Sequence, residues 1–414
     1  MSTPPERPAF GALAGLRVLD LTQALAGPFC TQVLADHGAD VVKVEPHQTG
    51  DMVRLSGPFH PEDTAHTQSG YFHSINRNKR SIVVDLKHPE GRDLVIALAE
   101  SFDVVVENFR AGVMDRLGLG YEVLAARNPR LVYATVRGFG DPRTGASPYA
   151  DWPAFDVVAQ AMGGMLGITG PDPEHPTKVG PGVGDTIPAL YLTIGILAAV
   201  LNARSTGKGQ FVDVAMVDAV LAVSERIVHQ RAFGGVIGRP EGNHHPFISP
   251  FGVYPAADGH VAIACPADGF FAELCRAIDA PDLLEVPEFA TALARGRNRP
   301  RVQAAVAERT RAFTKAELAN RLGGKVPFGP VYDMAGIAAD PHFAARDMLA
   351  TIDVPGIGAP MQVAGTPIKF SLTPGGVKIA GPAQGGDTDA VLEAAGFDAD
   401  QRARWRADGI IGGV

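Results

Sequence analysis

Residues 179–188 read Val-Gly-Pro-Gly-Val-Gly-Asp-Thr-Ile-Pro and carry one carboxylate, Asp185, out of a glycine-rich turn into the start of a strongly apolar stretch. A carboxylate held against an electrophilic carbonyl can attack it, because positioning replaces a bimolecular search. Gly180, Gly182 and Gly184 let backbone approach a ligand closely, their N–H groups are natural oxyanion donors, and Pro188 suits a first helical turn. The competing reading is that Asp185 only caps a helix over 187–203. The local sequence leaves both open.

A second acid, Asp156, precedes Val157-Val-Ala-Gln-Ala and reads either as an N-cap or as a group positioning the loop around Asp185. His244 and His245 lie in a Pro-rich loop at 242–247; they can recognise a carboxylate, and with no second cluster they make no metal site. Cys30, Cys265 and Cys275 lie far from any C-x-x-C spacing, which argues against zinc or a disulfide framework and fits a reducing cytoplasm.

Positioning these groups requires a scaffold. Short β-branched runs at 17–21, 40–45, 81–85, 103–107 and 130–136 alternate with helical stretches near 28–37, 89–101 and 112–126, the pattern of parallel βαβ units. The first turn, Gln23-Ala-Leu-Ala-Gly27-Pro28, is not G-x-G-x-x-G, so a dinucleotide in the usual pyrophosphate cradle is excluded. A strand at 211–214 leads into a helix at 217–233. Beyond residue 234 the pattern changes to a hairpin-like 240–264, a helical 267–322 and a strand–loop–strand region at 326–370. The expected division is a large Rossmann-like α/β domain over 1–224, a smaller α+β domain over 225–335, and a return to the first over 336–414.

The 414 residues exceed what one core usually holds, so two domains are expected. A net charge of −8 disfavours nucleic acid or an anionic membrane surface as partner. The most apolar run, 187–201, is interrupted by Pro188 and Gly195 and reads as a core helix too short to span a membrane.

Several segments taken together resemble the family III CoA-transferases, the formyl-CoA and carnitine CoA-transferase group that also contains α-methylacyl-CoA racemase. They are Leu19-Asp-Leu-Thr-Gln-Ala-Leu-Ala-Gly-Pro28, Leu34-Ala-Asp-His-Gly-Ala-Asp-Val-Val-Lys-Val-Glu45, Asn76-Arg-Asn-Lys-Arg-Ser81, Val106-Glu-Asn-Phe-Arg-Ala-Gly112, Gly184-Asp185, Thr206-Gly-Lys-Gly-Gln210 and Pro327-Phe-Gly-Pro330. The resemblance implies a large domain built from both chain ends, a small inserted domain, and an interlocked homodimer. It also implies coenzyme A thioester as substrate, with no permanently bound cofactor. CoA would lie along Ala24, Leu25, Ala26, His47, Lys79, Asn108, Phe109, Arg110 and Arg116. Lys79, Arg110 and Arg116 are cations suited to phosphates, and Phe109 offers a face for adenine.

By the same resemblance, racemases carry a proton-exchanging histidine where this chain has Phe155, and a phenyl ring moves no proton. Phe155-Asp156 is similar to the aromatic–acid pair of the transferases, with Asp185 as nucleophile and Gly184 and Asp156 in support. Leu25 stands where formyl-CoA transferase has a glutamine, which points to another acyl group. The expectation is therefore CoA transfer between an acyl-CoA, succinyl-CoA favoured, and a small organic acid. A 2-methylacyl-CoA racemase and a non-catalytic acyl-CoA-binding subunit are the alternatives.

Overall fold

A computed structural model of the protein describes residues 10–413. Six strands, β1 (Arg17–Asp20), β2 (Asp40–Glu45), β3 (Arg80–Val84), β4 (Val104–Glu107), β5 (Val132–Arg137) and β6 (Phe211–Ala215), run parallel in one sheet. A seventh, Ile411–Gly412 from the far end of the chain, pairs antiparallel with β3, giving the order Ile411–Gly412, β3, β2, β1, β4, β5, β6. The central strands are Val-rich and buried throughout, as a parallel sheet covered on both faces requires.

One face is covered by α1 (Ala26–Asp36) and other helices introduced below, through Cys30, Leu34, Ala159, Ile196 and Val220. After the short α2 (Gly70–Asn76), the other face is covered by α3 (Pro89–Ala99) and the C-terminal helices, through Leu94, Leu98, Val391 and Trp405. The helix expected over 112–126 is two, α4 (Val113–Arg116) and α5 (Tyr121–Arg127), because Gly118 between them takes φ +72°. Then come α6 (Asp156–Met162), α7 (Val183–Thr206), α8 (Met216–Val223) and α9 (Glu225–Gly234). The expected 217–233 helix is split at Ser224, whose hydroxyl donates back to the Val220 carbonyl at 2.8 Å.

The helix α7 corrects the sequence reading in length. It spans 24 residues and is long and apolar enough, by length and composition, to cross a bilayer. Pro188 sits inside it rather than at its start, and lacks the N–H that would reach the Gly184 carbonyl. Gly195 does not interrupt it; there Val212 Cγ1 packs 2.8 Å from the place a Cβ would take.

The chain divides into two compact units, one from the described residues of Met1–Met165, Gly180–Glu225 and Pro341–Val414, the other from Leu166–Val179 and Arg226–Asp340. The second unit thus includes Leu166–Val179, which the sequence reading placed in the large domain. The Gly242 N–H donates to the Gly170 carbonyl at 3.0 Å, tying that segment to the 240s loop. Its antiparallel sheet of β7 (Phe251–Ala256), β8 (Gly259–Ala264) and β9 (Phe328–Pro330) packs through Tyr254, Val261 and Ile263 on helical residues Phe271, Leu274, Val302 and Leu318.

In the large sheet, charged residues are buried where β1, β2 and β3 meet. Lys79 is fully buried and donates to Asp20 Oδ2 at 3.0 Å, Asn76 Oδ1 at 2.8 Å and the Pro28 carbonyl at 3.0 Å. Burial alone would raise the Asp20 carboxyl, but Lys79 and Lys43 hold it far below the ordinary range. Replacing Lys79 by Met leaves Asp20 short of its nearest counter-charge. Urea unfolding should show a loss of about 3 kcal/mol or more, and Asp20→Asn added to Lys79→Met should restore part of it. An unchanged midpoint for Lys79→Met would show that the pair contributes nothing.

Candidate active site

In an open parallel sheet, ligands bind beyond the carboxyl ends of the strands where the order reverses, here between β1 and β4. The turns leaving those two strands are locked together. Asn108 accepts the Gln23 N–H at 2.9 Å and donates to the Gln23 carbonyl at 2.8 Å. On the neighbouring residues, Asp20 accepts the Thr22 N–H at 2.9 Å, Lys43 donates to the Thr22 carbonyl at 2.7 Å, and Asp51 accepts the Ala24 N–H at 3.1 Å. The turn ends in α1, whose N-cap, Leu25, gives no side-chain cap. Among the described residues, the N–H groups of Leu25, Ala26 and Gly27 donate no hydrogen bond, so they remain for a ligand.

Asp185 lies in the first turn of α7, half-buried, with its N–H on the Gly182 carbonyl at 3.1 Å. It is therefore not the N-cap; Gly182 is, and no side chain caps the helix. Asp156 is the first residue of α6 rather than its N-cap, a place held by Phe155. Asp156 Oδ1 accepts the Gly184 N–H at 2.8 Å and the Gln160 amide at 2.7 Å. Gly184 can be nothing larger: a Cβ there would lie 2.3 Å from the Asp156 carbonyl oxygen. That contact staples the start of α6 to the start of α7 beside the Asp185 side chain.

The Gly182 Cβ position would be 2.9 Å from Leu25 Cδ2, 3.8 Å from Asp185 Oδ2 and 3.9 Å from Asp156 Cγ, so Leu25 and both acids meet around this glycine. Leu25, Phe29 and Tyr71 each pack against the buried cluster of Val53, Phe72 and Ile75. Burial, and then the Asp156 charge, push the Asp185 carboxyl up to about 7. Burial and the charges of Asp185, Asp51 and Asp156 push the Tyr71 phenol up, so it keeps its proton. The arrangement is one carboxylate of raised affinity for protons, flanked by an apolar wall and a phenol, beside a helix start with uncapped donors.

Of the glycine N–H groups expected as oxyanion donors, that of Gly184 is spent on Asp156, and the neighbouring Val183 and Asp185 N–H groups go to the Pro181 and Gly182 carbonyls. Among the described residues, the N–H groups at the start of α1 have no such partners. Lys79, expected to meet phosphates, is instead buried beneath the turn, where burial, against the pull of Asp20, brings it down to about 8. Asn108 binds backbone. Phe109 is half-buried against the core, its N–H on Glu107 Oε2 at 2.8 Å and its carbonyl on Arg137 Nε at 2.9 Å. His47 is exposed with its ring against Gly412, and Arg110 and Arg116 are exposed and form no ion pair among the described residues.

His244 and His245 belong to the second unit. The His245 Nδ1 accepts the N–H groups of Phe247 at 3.1 Å and Ile248 at 3.0 Å, so it folds its own loop. Burial lowers both rings, with Arg226 and Arg299 adding to the effect at His245. The structure thus gathers Asp185, Asp156, Gly184 and Leu25 in the first unit. Sequence reasoning missed Tyr71, Gln160 and Asp51; the charges at 45, 51 and 54 in a strand-end loop were the signal for the last. No group of His, Cys, Asp or Glu suited to a metal occurs among the described residues.

The sequence profile of CoA-transferase family III matches residues 13–388. The chain is 48% identical over 369 residues to a succinyl-CoA:mesaconate CoA-transferase of Haloarcula marismortui, covering 88% of this chain and 92% of that one. It is 38% identical over 386 residues to a succinyl-CoA–D-citramalate CoA-transferase of Chloroflexus aurantiacus, 92% of each. A crystal structure of a CAIB/BAIF family protein from Brucella suis superposes with TM-score 0.82 at 36% identity, over 93% of this chain and 100% of that one.

The proton on Asp185 has a stability signature. Folded, it titrates near 7; in the unfolded chain the value is about 3.9. Between these the folded protein holds a proton the unfolded chain has lost, so the contribution of Asp185 to stability falls as pH rises, by up to about 1.4 kcal/mol per pH unit. Unfolding midpoints from pH 4.5 to 8 should therefore decline less steeply, or rise more, in Asp185→Asn than in the parent. Parallel profiles would mean the carboxyl is unperturbed.

Proposed function

The chain belongs to CoA-transferase family III and is a CoA-transferase, and from that premise we propose that Asp185 carries the CoA between a succinyl-CoA donor and a small dicarboxylate acceptor. The observation that carries the proposal is the Asp185 carboxylate, desolvated at the edge of the switch-point crevice beside uncapped helix donors. A carboxylate of raised basicity is the better nucleophile once ionised.

Asp185 Oδ attacks the thioester carbonyl, the C–S bond breaks, and CoA leaves as thiolate, giving an acyl–aspartyl anhydride. The thiolate attacks the aspartyl carbonyl, the anhydride C–O bond breaks, and the donor acid departs as carboxylate, leaving aspartyl-CoA. The acceptor carboxylate repeats these steps in reverse and regenerates Asp185. Thioester energy is kept throughout and no ATP is spent. The uncapped Leu25 and Ala26 N–H groups are the candidate donors to the oxyanions, and Tyr71, whose titration feels the Asp185 charge, keeps its hydroxyl protonated near it. Arg110 and Arg116, exposed and without ion-pair partners among the described residues, are suited to CoA phosphates.

The choice of succinyl-CoA follows the two relatives, both named for that donor, and the apolar Leu25 wall suits the carbon chain of an acyl group. Phe155, exposed at the start of α6, carries no proton and gives no support to racemisation.

Assembly as a homodimer is part of the proposal. Along α7, Leu190, Ile194, Leu197 and Leu201 lie on one exposed face at helical spacing, an apolar stripe that a second copy would cover. The three cysteines are unpaired and buried, which suits a reducing cytoplasm.

Two measurements test the reading. Turnover should be lost by at least a thousandfold in Asp185→Ala and Asp185→Asn, and kcat/KM of the parent should rise with pH to a plateau above about 7 as the nucleophile ionises. Assayed against mesaconate, citramalate, malate, glutarate, oxalate, formate and carnitine, succinyl-CoA should serve a dicarboxylate best; retained turnover in Asp185→Ala, or a preference for carnitine, overturns the mechanism or the substrate class respectively. For assembly, light scattering should give twice 43.4 kDa down to nanomolar concentration, and a charge at Ile194 should impair it. An active monomer refutes the dimer.

A further inference from the structure

Among the described residues, five that are not glycine take a positive φ, and four of them are His66, Asn78, Asp279 and Asp347, of types that tolerate the left-handed region. The fifth is Ala24, at φ 64°, in the turn that leads from β1 to the uncapped start of α1. An alanine has no side-chain group to compensate that conformation, so its surroundings must impose it.

The imposing group is Asp51. Its carboxylate is fully buried; Oδ1 accepts the N–H of Ala24 at 3.1 Å and of Val53 at 3.2 Å, while Oδ2 lies 2.8 Å from the buried Lys43 ammonium. Lys43 in turn donates to the Thr22 carbonyl, two residues before Ala24. The backbone N–H of Asp51 is itself fixed by Glu45 Oε2 at 2.8 Å, and Glu45 is held by Arg54 and Ser81. Residue 24 is thus gripped from β2 and from the turn after it. Its φ decides which way the N–H groups of Leu25 and Ala26 point and where Leu25 meets Gly182.

We propose that Asp51 is a positioning residue for CoA transfer: paired with Lys43, it holds Ala24 left-handed and so presents the start of α1 and the Leu25 side chain to the carboxylate of Asp185. The inference rests on the reading of Asp185 as nucleophile for its kinetic part, but not for its structural part. It makes Asp51 a group that never touches substrate, yet whose loss slows the chemical step.

The test combines a structure with kinetics. In Asp51→Ala, a crystal structure should show Ala24 relaxed to negative φ, and kcat should fall at least tenfold with succinyl-CoA. Adding Ala24→Gly, which reaches positive φ without penalty, should restore at least threefold of the loss, a rescue that a merely stabilising role for Asp51 does not predict. Asp51→Asn keeps an oxygen for the Ala24 N–H while removing the charge; it should keep φ near 60° and lose less than Asp51→Ala. If Asp51→Ala fails to fold, the Asn variant alone decides: a relaxed Ala24 there, or a loss of tenfold or more with Ala24 still left-handed, assigns Asp51 to charge balance and overturns the proposal. It is equally overturned if Ala24 keeps its φ in Asp51→Ala or if the double variant is no better than the single. Absence of CoA transfer by the parent would sink the functional reading while leaving the φ result to stand.

Discussion

A charge taken out of water must be matched, and in this protein that requirement organises the ground beneath the site. Asp20, Lys79, Lys43 and Asp51 are each fully buried, and Asp20 answers to both lysines. None of these side chains has solvent to fall back on, so each is bound to a fixed geometry. Four of their partners are backbone groups of the β1–α1 turn or of α1: the Thr22 N–H and carbonyl, the Ala24 N–H and the Pro28 carbonyl. The ionic lattice therefore sets the shape of a turn as well as balancing charge. The turn can be rigid and strained at once because moving it would expose or unpair an ion.

The Gly184–Asp156 contact works by a different constraint, exclusion of volume. No Cβ fits at residue 184, so two helix starts can approach until a side-chain oxygen of one receives the N–H of the other. The close approach of backbone here was legible in the sequence, from alternate glycines ahead of an acid and a proline, although the same residues also read as a helix cap. The strands were legible for a related reason: short β-branched runs between helical stretches have little choice but a covered parallel sheet. Lys79 was not. A lysine beside an arginine, in Asn-Lys-Arg, looks the same on a surface as in a core, and only the fold shows that Asp20 faces it. Helix lengths failed where a local group overrode periodicity, as with Gly118 and Ser224, and where apolarity outlasted a proline, as in α7. Ala24 was invisible because alanine carries no signal of positive φ.

The helix α7 shows how far composition can mislead about burial. Its mean hydropathy is that of a membrane span, yet Leu192, Ile196 and Ala199 are buried in the sheet-facing core while Ile194 and Leu201 are exposed. A helix apolar all round has a second face to cover. Its N-terminal turn carries Asp185, so whatever covers the exposed stripe also stiffens the element that holds the carboxylate.

As the proposed nucleophile, Asp185 faces two opposed demands. It must lose its proton to attack, and it must be poor in hydration for the attack to be fast, since a well-solvated carboxylate is a weak nucleophile. Burial and the neighbouring charge of Asp156 satisfy the second at the expense of the first, which places the titration close to neutrality rather than well above it. Among the described residues no side chain or backbone donor quenches the Asp185 carboxylate with a hydrogen bond; the start of α1, whose Leu25 side chain meets Gly182 beside it, has N–H donors to spare. Those donors are spared by Asn108 and Asp51, which take the polar groups of the turn just upstream. In the proposed mechanism the charge on Asp185 is left unsupported in the resting site, and the start of α1 would support the oxyanion formed at the attacked carbonyl. That difference would favour the transition state over the ground state.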